Sequence, residues 1–254
     1  MQFSIKRLSA AACWLAVCAT TAHAGQEVSV GRVDLQLPGG EEAWRVYELS
    51  DTGNELSGQG VSFQQKAETK VLVRVTPDRV IDAAFIVRAN ESGKGRFSGI
   101  VYSDARCMAG EGVFAEGGES GPAAHSYRCL MVTVPHDVTG QPWFPQPVKD
   151  ALAKDGWTWH RNMQLVIAKQ YANTGAYVDI TAFVRPELLP ALADQDAIDR
   201  ALLQPGIVTA TSLKWGRLLQ EAATSSVYSI RGKLPVPELV MPDQAQVSEP
   251  VFTW

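Results

Sequence analysis

Alternating apolar and polar residues predict two neighbouring strands in the first half of the chain. In residues 70–76 every second residue is a valine, so this strand should bury one face and expose the other. Residues 80–89 are apolar on both faces, which is typical of a central strand covered on both sides. The polar residues 76–79 between them are predicted to form a turn.

The apolar residues near the N-terminus change phase once. They follow one alternation in residues 28–30 and the opposite alternation in residues 33–37. A β-bulge at Gly31 would reconcile both phases within one strand, because a bulge adds one residue to the alternation. Residues 38–41, Pro-Gly-Gly-Glu, then predict a turn into a second strand at 44–49, so that the two strands form a hairpin.

The same patterns predict the remaining elements. Strands are expected at residues 97–102 and 127–134, and a long hairpin over residues 163–184 turns at Asn173-Thr174-Gly175. Apolar residues at helical spacing predict helices at 146–155, 195–204 and 210–223.

These elements predict an α+β fold. Because neighbouring strands are mostly joined by tight turns, we expect a mainly antiparallel twisted sheet built from hairpins, with about three helices packed on one face. A parallel sheet is the alternative. Residues 25–233 should form a single domain, since no repeat or long linker divides them. Residues 234–254 contain four prolines and are predicted to be an extended Pro-rich C-terminal tail.

Residues 1–24 have the features of a secretory signal peptide. Two basic residues precede an apolar stretch, and Ala22-His23-Ala24 supplies the small residues that signal peptidase reads. We expect cleavage after Ala24 and export, with the periplasm as the compartment. An uncleaved membrane anchor is an alternative, but the apolar stretch is shorter than the ~20 residues that span a bilayer. A lipid anchor at Cys18 is a lesser alternative, because Val17 stands where a small residue is required.

Composition and charge exclude several classes of protein. The full chain is 46% hydrophobic and 20% charged, which is ordinary for a folded domain. Without residues 1–24, 21 basic and 27 acidic side chains remain, giving a net charge of −6. Since Lys and Arg form no cluster, nucleic acid is not an expected partner. No later apolar run is long enough to predict a membrane span.

Cys107 and Cys129 are the two cysteines that remain after cleavage, and they are predicted to form one disulfide in an oxidising compartment. Closing this loop of about 22 residues contributes ~3 kcal/mol in the chain-entropy model. A redox-active or metal-binding pair is the alternative, but the C-x-x-C spacing typical of such pairs is missing.

Residues 108–124, between the cysteines, contain five Gly, three Glu and no Lys or Arg. This composition predicts an acidic loop outside the core. Glu111, Glu116 and Glu119 are candidate calcium ligands, although the alternating Asp or Asn residues of a calcium loop are missing. No cofactor is otherwise expected.

Two short segments in this loop resemble known functional sequence motifs. Gly118-Glu119-Ser120-Gly121-Pro122 resembles the nucleophile segment of trypsin-like serine proteases, but the Asp before the serine and the second Gly after it are missing. Residues 110–115 match the G-x-G-x-x-G/A dinucleotide pattern, but Gly117 and Gly118 would interrupt the helix that must follow. Neither motif supports a function.

Two functions of different classes remain open. The first is a non-enzymatic envelope protein that binds another protein or a polymer. The second is an exported hydrolase whose acids and bases are dispersed along the chain. The candidate groups of the second are His125, His136, Asp137 and His160. Because these histidines lack the spacing of a zinc site, no metal is expected.

Two apolar segments are candidate binding surfaces for the first function. The tail keeps Val251, Phe252 and Trp254, which a solvated tail does not need, so it should dock on the protein's own sheet or on a partner. Docking on its own sheet is the preferred alternative. Trp157 and Trp159 could grip a sugar or a peptide if exposed, but the core is the preferred location.

Overall fold

In the computed structural model the described residues contain thirteen strands, two α-helices and one short 3-10 helix. The strands are β1 (Glu27–Val30), β2 (Val33–Gln36), β3 (Trp44–Leu49), β4 (Asn54–Gly58), β5 (Val61–Gln65), β6 (Ala67–Val75), β7 (Val80–Asn90), β8 (Val113–Gly117), β9 (Ser126–Thr133), β10 (Thr158–Trp159), β11 (Gln164–Ala172), β12 (Tyr177–Val184) and β13 (Lys233–Pro235). The helices are α1 (Gln146–Lys154), α2 (Ala210–Tyr228) and the 3-10 helix Pro186–Leu188. The structure describes residues 26–39, 44–49, 54–58, 61–91, 107, 109–110, 113–117, 126–133, 138, 144–161, 163–172, 175–190, 210–230 and 232–240.

A large, mainly antiparallel sheet forms the centre of the fold. Its strand order is β3-β6-β7-β12-β11-β9-β8, and β10 pairs in parallel with β7. The other neighbours in this sheet are antiparallel, which confirms the predicted α+β class. The predicted hairpins β6–β7 and β11–β12 are both present, and the two hairpins join through the pairing of β7 with β12.

The central strand β7 separates two hydrophobic cores, as its two apolar faces predicted. Ala83, Phe85 and Val87 belong to the larger core, which also contains the buried face of α2. Ala84 belongs to a second core together with Val148 and Leu152 of α1. Since successive residues of a strand point to opposite faces, the two helices lie on opposite sides of the sheet. The prediction that the helices share one face is therefore wrong.

The N-terminal segment differs from the prediction at Gly31. Residues 27–36 form a tight antiparallel hairpin in which Val30 pairs with Val33, so Gly31 and Arg32 are a two-residue turn and not a bulge. Both arrangements reverse the phase of the apolar residues, and the sequence pattern alone does not distinguish them. The strand at 44–49 is present, but it pairs with β6 and not with the N-terminal strands.

The turn of this hairpin is held against the end of β7. Gly31 has a φ of 54°, and its N–H donates to the Glu68 carboxylate at 2.6 Å. The next N–H, of Arg32, donates to the carbonyl oxygen of Asn90 at 3.0 Å. A Cβ atom at Gly31 would lie 2.5 Å from that same oxygen, so only glycine allows the approach.

The segment between the cysteines contains a strand that its composition did not predict. Residues 113–117 form β8, an edge strand paired with β9, so the prediction of a loop outside the core is wrong for this part. The strand also excludes the dinucleotide interpretation of residues 110–115, because the required helix is absent where β8 stands.

Most of the other predicted elements agree with the structure, but the prediction that β6 exposes one face is wrong, because Leu72 is fully buried and Arg74 is 3% exposed. Helix α1 ends before Gly156, whose φ is 72°, and α2 continues five residues beyond the predicted end to Tyr228. Residues 233–235 of the proline-rich segment form β13, which pairs in parallel with β2. The predicted strand 97–102, the predicted helix 195–204, the signal peptide and residues 241–254 of the tail lie outside the described residues.

Replacing Gly31 with Ala should destabilise the fold. The new Cβ would meet the Asn90 carbonyl, and a φ of 54° is itself unfavourable for alanine, so we expect a loss of ~2–4 kcal/mol of unfolding free energy. Urea unfolding would measure it. Gly110→Ala is the matched control, because a Cβ there meets nothing within 4 Å. Equal losses of unfolding free energy in the two variants would contradict the requirement for glycine at position 31.

The cluster around Glu68 should make stability depend on pH. Burial alone would raise the pKa of Glu68, but the hydrogen bond from Gly31 and the nearby Lys70 ammonium outweigh it and hold the pKa below its ordinary value of 4.5. A depressed carboxyl pKa stabilises the folded state above pH 4.5, and this contribution disappears as the pH falls through the folded-state pKa. The melting temperature of the wild type should therefore fall more steeply below pH 4.5 than that of Glu68→Gln.

Glu27→Gln is the control for this measurement, because Glu27 is an exposed carboxylate on the same hairpin. Its melting curve should follow the wild type through the acidic range. Parallel pH profiles for wild type and Glu68→Gln would show that the Glu68 contact does not stabilise the fold.

Candidate functional site

A concave apolar surface runs along α2 and is the candidate functional site. We call it the α2 groove; its volume is about 500 Å³, within the range of ligand sites. One wall is the helix face that carries Thr211, Leu218, Ala222 and Ser225, which recur at helical spacing. The other wall is formed by Pro235, Pro237 and Glu238, and Pro190 lies at the edge.

Two contacts on the opposite face of α2 fix which residues point into the groove. At Gly216 a Cβ would lie 3.1 Å from methyl groups of Leu130 and Val166, so the missing side chain lets the helix approach the sheet closely. One turn later, the buried Gln220 amide donates to the Lys169 carbonyl oxygen at 3.1 Å. Together these contacts set the rotation of the helix and leave Leu218 on the outside.

Leu218 and Trp215 give the groove its apolar character. Leu218 is 47% exposed, whereas Trp215 is 2% exposed and stacks on Phe85 with 6.3 Å between ring centroids. The indole Nε1 of Trp215 is buried and has no hydrogen-bond acceptor within the described part of the chain. Because this atom is itself buried, an occupant of the groove would meet the apolar part of the indole and not its N–H.

The second wall is part of the folded domain. Leu234 and Val236 are buried in the larger core, and the Val236 N–H donates to the Gln36 carbonyl oxygen at 3.0 Å. Further along, the Val240 N–H donates to the carbonyl oxygen of Leu188 at 2.6 Å. Residues 234–240 therefore belong to the folded domain, whereas the predicted docking of residues 241–254 lies outside the described residues.

Charged side chains line the edge of the groove without dominating it. Lys214, Glu221 and Glu238 are exposed, and they give the lining a net charge of −1. Neither nucleic acid nor a phosphate surface matches this lining, because both require a concentration of basic groups. The chemistry of the groove is that of a surface for apolar side chains.

The most deeply buried charges lie elsewhere and are structural. Arg74 of β6 donates two hydrogen bonds to the Asp82 carboxylate of β7, at 2.8 and 2.7 Å. Their side chains are 3% and 1% exposed, so a substrate has no access to either group. A catalytic acid or base must reach its substrate, so this pair is not a candidate active site.

Replacing Asp82 with Ala should destabilise the protein strongly. It would leave the Arg74 guanidinium buried without its carboxylate, and breaking a buried ion pair in this way costs ~3–5 kcal/mol. Glu187→Ala is the control, because Glu187 pairs with Arg185 in an exposed position at 2.9 Å and should cost below ~1 kcal/mol. Urea denaturation would measure the unfolding free energy of both variants. A loss in Asp82→Ala no larger than that in Glu187→Ala would contradict the prediction.

A row of polar side chains crosses the sheet beside the disulfide. Arg88, Asp179 and Lys169 are neighbours on β7, β12 and β11, and Lys169 is directly opposite Cys129. Lys169 Nζ lies 3.6 Å from the Asp179 carboxylate, and the hydroxyl group of Tyr171 lies 3.5 Å from it. These contacts are cross-strand pairs that stabilise the sheet.

The residues singled out from the sequence have different outcomes. Cys107 and Cys129 form the predicted disulfide, which attaches Cys107 to β9. Trp157 and Trp159 are partly buried and pack against the second core, where the ring centroid of Trp159 lies 5.2 Å from that of the buried Phe144. Of the calcium candidates, Glu116 lies on β8 and accepts a hydrogen bond from Arg217 at 3.1 Å.

Of the four hydrolase candidates, the structure describes His160 alone. His160 follows β10, and its backbone N–H donates to the Ile81 carbonyl oxygen at 3.0 Å. His125, His136 and Asp137, like Glu111, Glu119 and Ser120, lie outside the described residues. Among the residues that are described, no three His, Cys, Asp or Glu side chains are grouped as metal ligands.

Sequence reasoning missed the α2 groove, because its two walls lie in different elements that only the tertiary packing of β13 beside β2 and α2 brings together. The apolar stripe predicted for this helix contains Leu218, whose burial was expected, but Leu218 is 47% exposed in the structure. No helix in the described part of the chain is long and apolar enough to cross a membrane. No protein-family model matches this chain, and no similar curated protein or solved structure was found.

Proposed function

We propose that this chain is an exported, non-enzymatic envelope protein that binds an extended apolar segment of another protein in the α2 groove. The observation that carries the proposal is the half-exposed Leu218 beside the buried indole of Trp215, in a concave surface between a helix and a strand. Export to the periplasm is part of the proposal. It is supported by the signal-like residues 1–24 and by the Cys107–Cys129 disulfide.

The groove has the properties of a site for a peptide. It is concave and its lining is mostly apolar, with the half-exposed Leu218 beside the buried Trp215 and three exposed charged residues. An extended peptide brings both apolar side chains and backbone carbonyl oxygens, and protein surfaces recognise such segments in aromatic-lined grooves. A polysaccharide would instead need several polar partners, whereas the lining is mostly apolar.

Replacing Leu218 with Asp should abolish much of this binding. Burying a leucine side chain contributes ~1.5–3 kcal/mol, so its loss should weaken the affinity for a peptide by ~10–100-fold. The probes are peptides selected from a displayed library of random 12-residue sequences on the purified wild-type protein. Their dissociation constants for each variant would be measured by fluorescence anisotropy.

Ile230→Asp is the matched control, because Ile230 is a fully exposed aliphatic residue on the same segment outside the groove. Both variants should melt within a few degrees of the wild type, since neither removes a buried side chain. Equal peptide affinity in both variants would contradict the proposal. Sedimentation of the protein with insoluble cell-wall polymer, in the absence of any selected peptide, would instead assign it a polymer ligand.

A further inference from the structure

The α2 groove lies where the described chain leads into its own C-terminal segment. Pro235, Pro237 and Glu238 form one wall, and Val240 is held at the edge by its hydrogen bond to the carbonyl oxygen of Leu188. Leu189, the neighbour of Leu188, is buried, and the following Pro190 lines the groove. Because the described chain reaches Val240 beside the groove, the segment that follows should have a high effective concentration there.

The length of the C-terminal segment suits the groove. Residues 241–254 are 14 residues, which reach up to ~46 Å when extended at ~3.3 Å per residue. The helix wall from Thr211 to Ser225 rises only ~21 Å at ~1.5 Å per residue. Half of the ten residues that precede Val251 are polar and two are proline, so they can serve as an extended connection.

The end of the segment also has the chemistry that the groove accepts. It reads Val251-Phe252-Thr253-Trp254 and carries two aromatic side chains at alternate positions. Phe252 and Trp254 would point to the same side of an extended chain and could cover Leu218.

We propose that residues 241–254 occupy the α2 groove of their own chain through Phe252 and Trp254, and that a partner peptide binds by displacing them. The second half of this statement rests on the proposed function, whereas the docking of the segment does not. The segment thereby acts as a tethered competitor, and it lowers the apparent affinity of the groove for any other occupant.

Disulfide trapping in the full chain tests the docking. Thr253 lies between the two aromatic residues and should face the edge of the groove when they face its floor, and Ser225 is an exposed residue of the helix wall. In the Ser225→Cys/Thr253→Cys variant, mild oxidation should produce a disulfide within one chain. Mass spectrometry of the non-reduced digest would detect it beside the native Cys107–Cys129 bond.

The matched control carries the same two cysteines together with Leu218→Asp, which should slow trapping at least fivefold by removing the apolar contact. Ile230→Asp in the same background should leave the rate unchanged, because Ile230 lies outside the groove. Equal trapping rates with Leu218 and with Asp at position 218 would overturn the proposal. A disulfide between two chains would overturn it as well, by assigning the groove to a second copy.

The competitor role has a separate readout. In the full chain, Phe252→Asp/Trp254→Asp should raise the affinity for a selected groove peptide at least fivefold, because the tethered competitor is removed. An unchanged affinity of this variant for the peptide would overturn the proposed competition between the C-terminal segment and the peptide. If no peptide is ever selected, the proposed function fails while disulfide trapping still decides whether the segment docks, so the two failures are distinguishable.

Discussion

Much of this structure depends on Phe85, whose ring lies between two indoles. Trp44 stacks on it at 5.1 Å and Trp215 at 6.3 Å between ring centroids, and all three side chains are at most 4% exposed. Burial of each aromatic side chain contributes about 4–6 kcal/mol by its area. The three residues belong to the edge strand β3, the central strand β7 and the helix α2. The indole Nε1 of Trp44 also donates to the Pro38 carbonyl oxygen at 3.0 Å, so the exit of the N-terminal hairpin is attached to the same stack. One aromatic contact therefore joins four parts of the chain.

The same stack makes the floor of the α2 groove rigid. Trp215 cannot change its rotamer without disturbing Phe85, and α2 cannot rotate without losing the contact between Gln220 and the Lys169 carbonyl oxygen. A site built on fixed elements loses little conformational entropy when it is filled, so more of the contact energy remains for binding. Leu218 is exposed for a structural reason as well. It lies on the side of α2 that faces away from the sheet, and the close approach at Gly216 holds the helix in that orientation.

The sequence predictions were correct where the residues of an element determine its structure by themselves. They were wrong where contacts with distant parts of the chain determine it. Residues 80–89 were identified as a central strand because two-sided apolar burial is visible in the strand itself, and α1 ends before Gly156 as its composition indicates. The phase change at Gly31 was misassigned because a bulge and a two-residue turn shift the alternation alike, and only the contact with Asn90 reveals the turn. The strand β8 was missed because its Gly and Glu content is typical of a loop. It is a strand because it pairs with Cys129 and its neighbours on β9. The groove depends on how β13 lies beside β2, and no local pattern encodes that placement.

The prolines of the groove wall restrict how an occupant can bind. β13 is the edge strand of the small sheet β1-β2-β13, and the N–H of Val236 points inward to the Gln36 carbonyl oxygen. Alternate residues of a strand direct their backbone groups to opposite sides, so positions 235 and 237 are those whose N–H groups would point outward. Both are proline and have no N–H to donate, which prevents another strand from adding to this edge through a regular ladder. An occupant of the groove must therefore be held by its side chains and by single hydrogen bonds, and specificity at this surface depends on how well apolar side chains fit between Leu218 and the proline wall.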